Sequence, residues 1–375
     1  MILTRARQQQ AGVVVVHPTR EHEPEHERAI HFELAKRIGG LLGLDFAGTY
    51  DADSRYTGRV YFLPTDTLVG RETARNLGIS GEHDLFGGVT PYPFMATKAI
   101  THDLLAPDAV RPEGWSPAFA KAVCDSVLHG ITAFTLEDAR KAGERLLKAG
   151  PIRLKPVRGV GGRGQILISC GSELAEALKG LDAAELACYG VVLEEHLDKV
   201  ITYSVGKVRM ADVIATYFGT QRLTPDNHGV MVYGGSDLVV VRGDFDVLLK
   251  LDLPEDVLQA IVQARAYDEA ATAHFKGFFA SRRNYDIARG LDSHGRKRSG
   301  VLEQSWRTGG ASSAEIAALE AFDSDKSLNT VRASSIEIFG RNHNPPSSAT
   351  VLFSGEDKDI GLVTKSVMVE SYGNT

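Results

Sequence analysis

Short apolar runs alternate with helical periodicity through the first quarter of the chain. Val13 to Val16 is an unbroken valine run, as expected of a strand buried on both faces. Ile30, Leu34, Ile38 and Leu41 then recur at helical spacing and predict a helix over 25–42. A strand is predicted over 60–64 and a helix over 71–77. This alternation predicts a small α/β unit over roughly residues 10–95, with parallel strands and helices on both faces. Beyond it, 97–105 reads as helical, and 139–149 as an amphipathic helix ending at Gly150.

The pattern then changes character. An apolar strand carries Lys155 out of its end, and a loop follows with Arg158, Gly159, Gly161, Gly162, Arg163 and Gly164. A second apolar strand returns over 165–169. Glycines allow positive φ and let backbone N–H groups crowd against an anion. A lysine beside such a loop adds a point charge suited to phosphate. The letters G-x-G-x-x-G are present, but a Rossmann fingerprint needs the loop to open a helix, and here a strand follows. No Gly-Lys-Ser/Thr triplet closes the segment, so a Walker A loop fails too. Strand, glycine loop, strand is the topology that survives, and it reads as a cover over phosphates.

Further along, a helix is predicted over 172–181 and a strand over 190–195. Strands follow over 201–208, 213–219, 230–233 and 238–241, then a long helix over 256–274. Two strands, 285–289 and 301–304, are split by the turn 292–295. A helix over 311–321 precedes a tail with strands over 334–339 and 360–370, joined by the polar linker 342–348. Internal repeats and coiled-coil heptads are absent from the pattern.

Composition narrows the class. The 375 residues suffice for two or three domains, and 43% hydrophobic with 24% charged residues is ordinary for a soluble globular protein. A net charge of −6 argues against generic nucleic-acid binding. Positive charge concentrates instead at Arg153, Lys155, Arg158 and Arg163, which suits a small anionic ligand. Three cysteines, Cys124, Cys170 and Cys188, are too few and too dispersed for a disulfide framework or a zinc site. With no signal-peptide pattern in residues 1–10 and no apolar run long enough to span a bilayer, the expectation is a cytoplasmic protein with no membrane partner. His22-Glu-Pro-Glu-His26 fits the letters of a zinc-protease helix, but Pro24 interrupts the helix that motif requires.

The glycine hairpin gains force from its surroundings. The strand 191–195 ends in Glu194 and Glu195, with His196 and Leu197 after it, where backbone and carboxylate groups can read an adenine and a ribose. Asp286 and Glu303 fall on two strands predicted to be neighbours, a placement suited to magnesium. Arg307, four residues later, is placed to stabilise charge on a transferring phosphoryl group. In this order the set resembles the ATP-grasp superfamily of ligases, with the biotin carboxylase-like members nearest. Lys98 looks like the first nucleotide lysine and Lys155 like the second. The glycines match the phosphate loop, and 194–197 match the adenine–ribose hinge. Asp286 resembles the first metal acid, and Glu303 to Gly310 the closing motif.

The resemblance covers residues 95–310 and implies an α/β (α+β) ATP-grasp fold, two α+β subdomains gripping the nucleotide behind a small α/β domain. The boundaries it suggests are 1–95, 96–195, 196–330 and a β-rich extension over 331–375. It implies an ADP-forming ligase that uses ATP and Mg2+ to activate a carboxylate as an acylphosphate for an amine or similar nucleophile. Lys155 and Arg307 would act on the phosphoryl group, and both partners would be small molecules; the oligomeric state stays open. One departure stands out: Ser305 occupies the position where the family has an asparagine metal ligand. That leaves room for a non-catalytic ATP-binding scaffold, or for a phosphotransferase. Arg209 and Arg222, on the β-rich segment, are weaker candidates for substrate contact.

Overall fold

The computed structural model describes residues 11–20, 23–157, 164–341 and 344–372. The N-terminal unit begins with β1 (Gly12–His17), α1 (Glu25–Leu42), β2 (Asp45–Thr49) and β3 (Arg59–Pro64). These strands form a parallel sheet in the order β2-β1-β3. Val14 and Val16 face α1 and its Leu34, Ala35 and Ile38, while Val15 packs on the opposite side with Phe62, Leu68 and Ala74. That two-sided burial is why the valine run carries no polar alternation. The opposite face is covered by β4 (Leu68–Val69), the short α2 (Arg71–Asn76) and β5 (Gly88–Thr90). Helical cover on that side is therefore slighter than expected.

The segment 97–105 is not an α-helix. Thr97 takes an extended conformation and its hydroxyl accepts from the backbone N–H of Ala99, so the chain makes two 3-10 turns, Pro93–Ala96 and Lys98–Thr101. Then come α3 (Pro117–Val123), β6 (Gly130–Ala133), α4 (Leu136–Leu146), β7 (Ile152–Pro156), β8 (Ile166–Ile168), α5 (Gly171–Lys179), α6 (Ala183–Tyr189) and β9 (Val191–Glu195). Their strands make an antiparallel sheet in the order β6-β9-β7-β8, with α4 and α5 packed on one face through Ala139, Ala142, Leu174 and Leu178. The other face carries Lys155 and Glu194.

The remainder builds the largest sheet. It comprises β10 (Asp198–Met210), β11 (Val213–Pro225), β12 (Met231–Arg242), α7 (Phe245–Leu248), α8 (Glu255–His274), β13 (Phe279–Ala280), β14 (Arg282–Leu291), β15 (Lys297–Ser305), α9 (Ser312–Ser324), β16 (Thr330–Phe339), β17 (Thr350–Asp357) and β18 (Gly361–Ser371). Among the described residues, eight of these strands pair in the order β15-β14-β10-β11-β12-β16-β18-β17. The two short strands expected over 230–241 are one strand. Its Gly235 sits at φ 129°, and a Cβ there would lie 2.0 Å from Ser335 O, so glycine lets β16 come alongside. The tail thus extends the central sheet edgewise. No helix among the described residues is long and apolar enough to cross a membrane.

Candidate functional site

The short segment 95–102 ties the β6-β9-β7-β8 sheet to β15 of the largest sheet. Gln304 on β15 donates its amide to Met95 O at 3.1 Å and Thr97 O at 2.6 Å, which fixes the turn carrying Lys98. The Lys98 ammonium then lies 2.6 Å from Glu303 Oε2. Four residues on, His102 turns to the other sheet, its Nε2 2.9 Å from Glu194 Oε2. Lys155 Nζ closes on the second oxygen of the same carboxylate. All three of these groups are almost completely buried. Burial alone would raise the Glu194 carboxyl; the charge of Lys155 and contact with His102 outweigh it and hold the group below its ordinary value.

This corrects the hinge reading in part. The Glu194 carboxylate is committed to Lys155 and His102, so it positions the lysine and is not free for a sugar hydroxyl. The Glu195 side chain accepts from the backbone N–H of His129 at 2.9 Å and from Arg298 Nη2 at 2.9 Å, joining β9 to β15. Leu197 packs with Leu128 and Ala288. The His196 ring accepts at Nδ1 from Arg153 Nε at 3.1 Å, and its Nε2 lies 3.4 Å from Asp198, a carboxylate 72% exposed at the exit of the strand. His102 and Asp198 are the residues sequence reasoning missed here. Asp198 had a local signal, an acid just beyond the strand; His102 had none, because its partner lies 92 positions away.

Asp286 and Glu303 are direct register partners on β14 and β15, so the expected neighbouring strands and the facing carboxylates are both present. Asp286 Oδ1 accepts from Ser204 Oγ at 3.1 Å, Gln221 Nε2 at 3.0 Å and Asn284 Nδ2 at 3.0 Å. Burial, followed by the neighbouring charge of Glu303, pushes the Asp286 carboxyl up to about 6 despite those three bonds. Two oxygen-rich groups held together against their mutual repulsion suit a divalent cation, which takes carboxylates, phosphate oxygens and water together. Among the described residues no three histidine, cysteine or acidic side chains converge as a metal cage. Asp286 and Glu303 are thus two donors of such a set, with one Glu303 oxygen also on Lys98.

Ser305 belongs to a different arrangement. Its hydroxyl and carbonyl oxygens accept from Arg282 Nη1 at 3.2 and 3.1 Å. Arg282 is buried against Glu315 on α9, 2.8 Å away, and its Nη1 also donates to Arg307 O at 2.7 Å. A guanidinium on the hydroxyl oxygen opposes a cation there, so Ser305 anchors the loop and is a poor ion ligand. The amide of this neighbourhood is Asn284, opposite Ser305 across the strand pair and bonded to Asp286.

Arg307 stands beside Asp66, with Nε 3.7 Å from Oδ1. Burial lowers its pKa, and Asp66 pulls the other way; a guanidinium so placed stays charged. The Thr308 hydroxyl next to it is buried with no hydrogen-bond partner. Asp66 also faces Arg20 at 3.4 Å, and Arg20 donates to Glu27 at 2.6 Å, so the N-terminal unit contributes this wall. Of the glycine loop, Gly164 is described, at φ 76°, a conformation that favours glycine. Arg158, Gly159, Gly161, Gly162 and Arg163 lie outside the described residues, as does His22; His26 is bonded to Asp357 at 2.9 Å. Arg222 is bound to Ser335 O at 2.8 Å and faces Asp237 at 3.2 Å, and Arg209 lies near the far end of β10, 3.6 Å from Glu82.

A family model described as "Protein of unknown function (DUF3182)" matches residues 14–367. No curated protein matches the chain by sequence. Among solved structures, N5-carboxyaminoimidazole synthetase from Staphylococcus aureus is 12% identical, with a TM-score of 0.50 over 98% of this chain and 95% of that one. Its complex with ADP is 14% identical at the same TM-score, over 96% and 94%. A biotin carboxylase complex from Campylobacter jejuni is 11% identical, with a TM-score of 0.46 over 96% and 87%. The fold is the ATP-grasp fold.

Proposed function

We propose, from the premise that this chain belongs to the DUF3182 family and is built on the ATP-grasp fold, that it is an ADP-forming ligase joining a carboxylate to an amine or similar nucleophile. One juxtaposition carries the reading. Lys98 meets Glu303, the register partner of Asp286, while Lys155 is held by Glu194 on the facing sheet. Two lysines and two carboxylates on opposite walls are what a polyphosphate with a bound cation requires.

In this mechanism a carboxylate oxygen of the substrate attacks the γ-phosphorus of ATP, and the bond to the β–γ bridging oxygen breaks as ADP departs. The nucleophile's nitrogen then adds to the acyl carbon, phosphate leaves, and the nitrogen gives up a proton. Lys98 and Lys155 neutralise phosphate charge, and Arg307 faces the charge that gathers on the transferring group. Asp286 and Glu303 would hold Mg2+, which supplies charge neutralisation on the phosphates. Asp198, an exposed carboxylate beyond the hinge strand, would accept from the ribose hydroxyls. Arg282 is a positioning residue: it holds the carbonyl of Arg307 and the loop around it.

The test is phosphate and ADP release from purified protein with MgATP and a panel of carboxylates paired with amines. Release that depends on both partners is the expected result, and none across a broad panel overturns the reading. The bond between Arg282 and Ser305 favours one alternative, a nucleotide-binding scaffold without turnover; tight ADP binding with no phosphate release would establish it.

The Asp286 carboxyl gives a second expectation. Its folded-state pKa is raised, so the metal-free protein loses that group's stabilisation as pH climbs from about 4 toward 6, where the carboxyl ionises beside Glu303. A cation reverses the preference. Mn2+ affinity, read by calorimetry, should rise roughly tenfold per pH unit below 6 and flatten above 7. Asp286→Asn should abolish the slope; a slope that survives the substitution removes Asp286 from the metal site.

A further inference from the structure

The two lysines that the proposed function sets against phosphate are held in different ways. Lys155 closes on Glu194, a buried acid on β9 that stands apart from the Asp286–Glu303 pair. Lys98 sits on a member of that pair, its Nζ 2.6 Å from Glu303 Oε2. Among the described residues it is the one cation within ion-pair distance of either acid. Asp286 Oδ1 already accepts three hydrogen bonds, whereas Asp286 Oδ2 and Glu303 Oε1 accept none among the described residues. The oxygens left for a divalent ion therefore lie on two carboxylates, one of which carries an ammonium. An ion entering there meets a like charge on the same group, and at such separations the repulsion is strong.

The backbone beneath Lys98 is pinned. Gln304 holds Met95 O and Thr97 O, the Thr132 hydroxyl donates to Ala99 O at 2.7 Å, and Thr101 Oγ1 lies 3.2 Å from the Tyr267 hydroxyl. Ala99, Ile100 and Thr101 are at most 1% exposed. Relief of the repulsion thus falls to the lysine side chain, a compact ammonium on a flexible stem. Glu303 is the more open partner, with 33% of its side chain exposed against 6% for Lys98. A buried ammonium that leaves one anion needs another. A phosphate that arrives together with the ion supplies it.

We propose that Lys98 makes this site select an ion–nucleotide complex over the free ion: it holds Glu303 until phosphate arrives, then passes to a phosphate oxygen as a divalent cation takes the acid pair. This rests on the nucleotide-site reading above, and the two can fail separately. Lys155 has no such part, because the acid that holds it is not one of the pair.

Calorimetry on the full chain, at one pH slightly above neutrality, tests the exchange with two probes: Mn2+ without nucleotide, and ADP in excess Mg2+. Lys98→Met should move them in opposite directions, Mn2+ affinity rising roughly fivefold or more and ADP affinity falling by roughly as much. A gain of affinity cannot come from a variant that fails to fold, and Lys98→Gln repeats the measurement with a polar side chain. Lys98→Arg, which restores the charge, should return Mn2+ affinity to within roughly twofold of the unsubstituted protein. The gain should disappear in Lys98→Met/Glu303→Gln. Mn2+ binding that is unaltered or weaker in Lys98→Met, with ADP affinity reduced, overturns the exchange and leaves the nucleotide site standing. A Mn2+ gain with ADP affinity intact shows a lysine that guards the acids without reaching phosphate, which also overturns it. So does a gain that survives the loss of the Glu303 carboxylate, since that ion lies elsewhere. An unsubstituted protein that binds no ADP in Mg2+ overturns the nucleotide-site reading itself, and the exchange with it.

Discussion

Lys155→Met is expected to destabilise the protein by about 3–5 kcal/mol before any nucleotide is added, the usual cost of removing one partner of a buried ion pair. The reason is Glu194. Its carboxylate is 1% exposed and has Lys155 on one oxygen and His102 on the other. Without the ammonium, a buried charge keeps a single polar partner. Chemical denaturation measures the loss. The same substitution should weaken ADP binding by at least tenfold, since a phosphate charge loses its counterpart. The double variant Lys155→Met/Glu194→Gln separates the two effects. It removes the stranded charge, so stability should recover substantially while nucleotide affinity stays low. If affinity recovers together with stability, Lys155 is a structural ion-pair residue and the phosphate assignment fails.

That double variant also shows where sequence reading reached its limit. The position of Lys155 was legible because it depends on neighbours: a strand, its end, and a glycine loop that follows at once. Glu194 was legible as an acid at a strand end, but its task was not. What decides it is burial beside His102, set by the 3-10 turns over 93–101, and the second of these falls in the segment 97–105, read as a helix because the apolar spacing allows either. The parallel strands of the N-terminal unit and the carboxylate pair on β14 and β15 follow from patterns within a few residues, and they came through. Ser305 did not. Its assignment depends on Arg282, which is placed by Glu315 on a helix 33 positions later. The tail fared similarly: its alternation announced strands, but β16 joining β12 is a long-range choice made by Gly235 and its close approach to Ser335. Local chemistry was readable, and partners chosen by tertiary contact were not.

Arg307→Ala should lower turnover by about 10²- to 10³-fold, the scale seen when one preorganised group facing developing charge is removed, and change ADP affinity less than threefold. The split follows from placement. In the proposed function Lys98 and Lys155 meet the ground-state phosphates, so their loss weakens binding. Arg307 follows directly on β15, held through its carbonyl by Arg282 and leaning on Asp66 across 3.7 Å, a separation too long for a committed hydrogen bond. A guanidinium whose hydrogen bond is to the carbonyl of the next residue, Thr308 O at 3.1 Å, and whose nearest carboxylate stands off, can turn toward charge that appears only during transfer. Arg307→Lys should restore part of the rate by supplying charge without the planar fork. Substrate-dependent phosphate release gives the rate, and calorimetry with ADP gives the affinity. Equal losses in both would move Arg307 into the nucleotide site, and an unchanged rate would remove it from the chemistry.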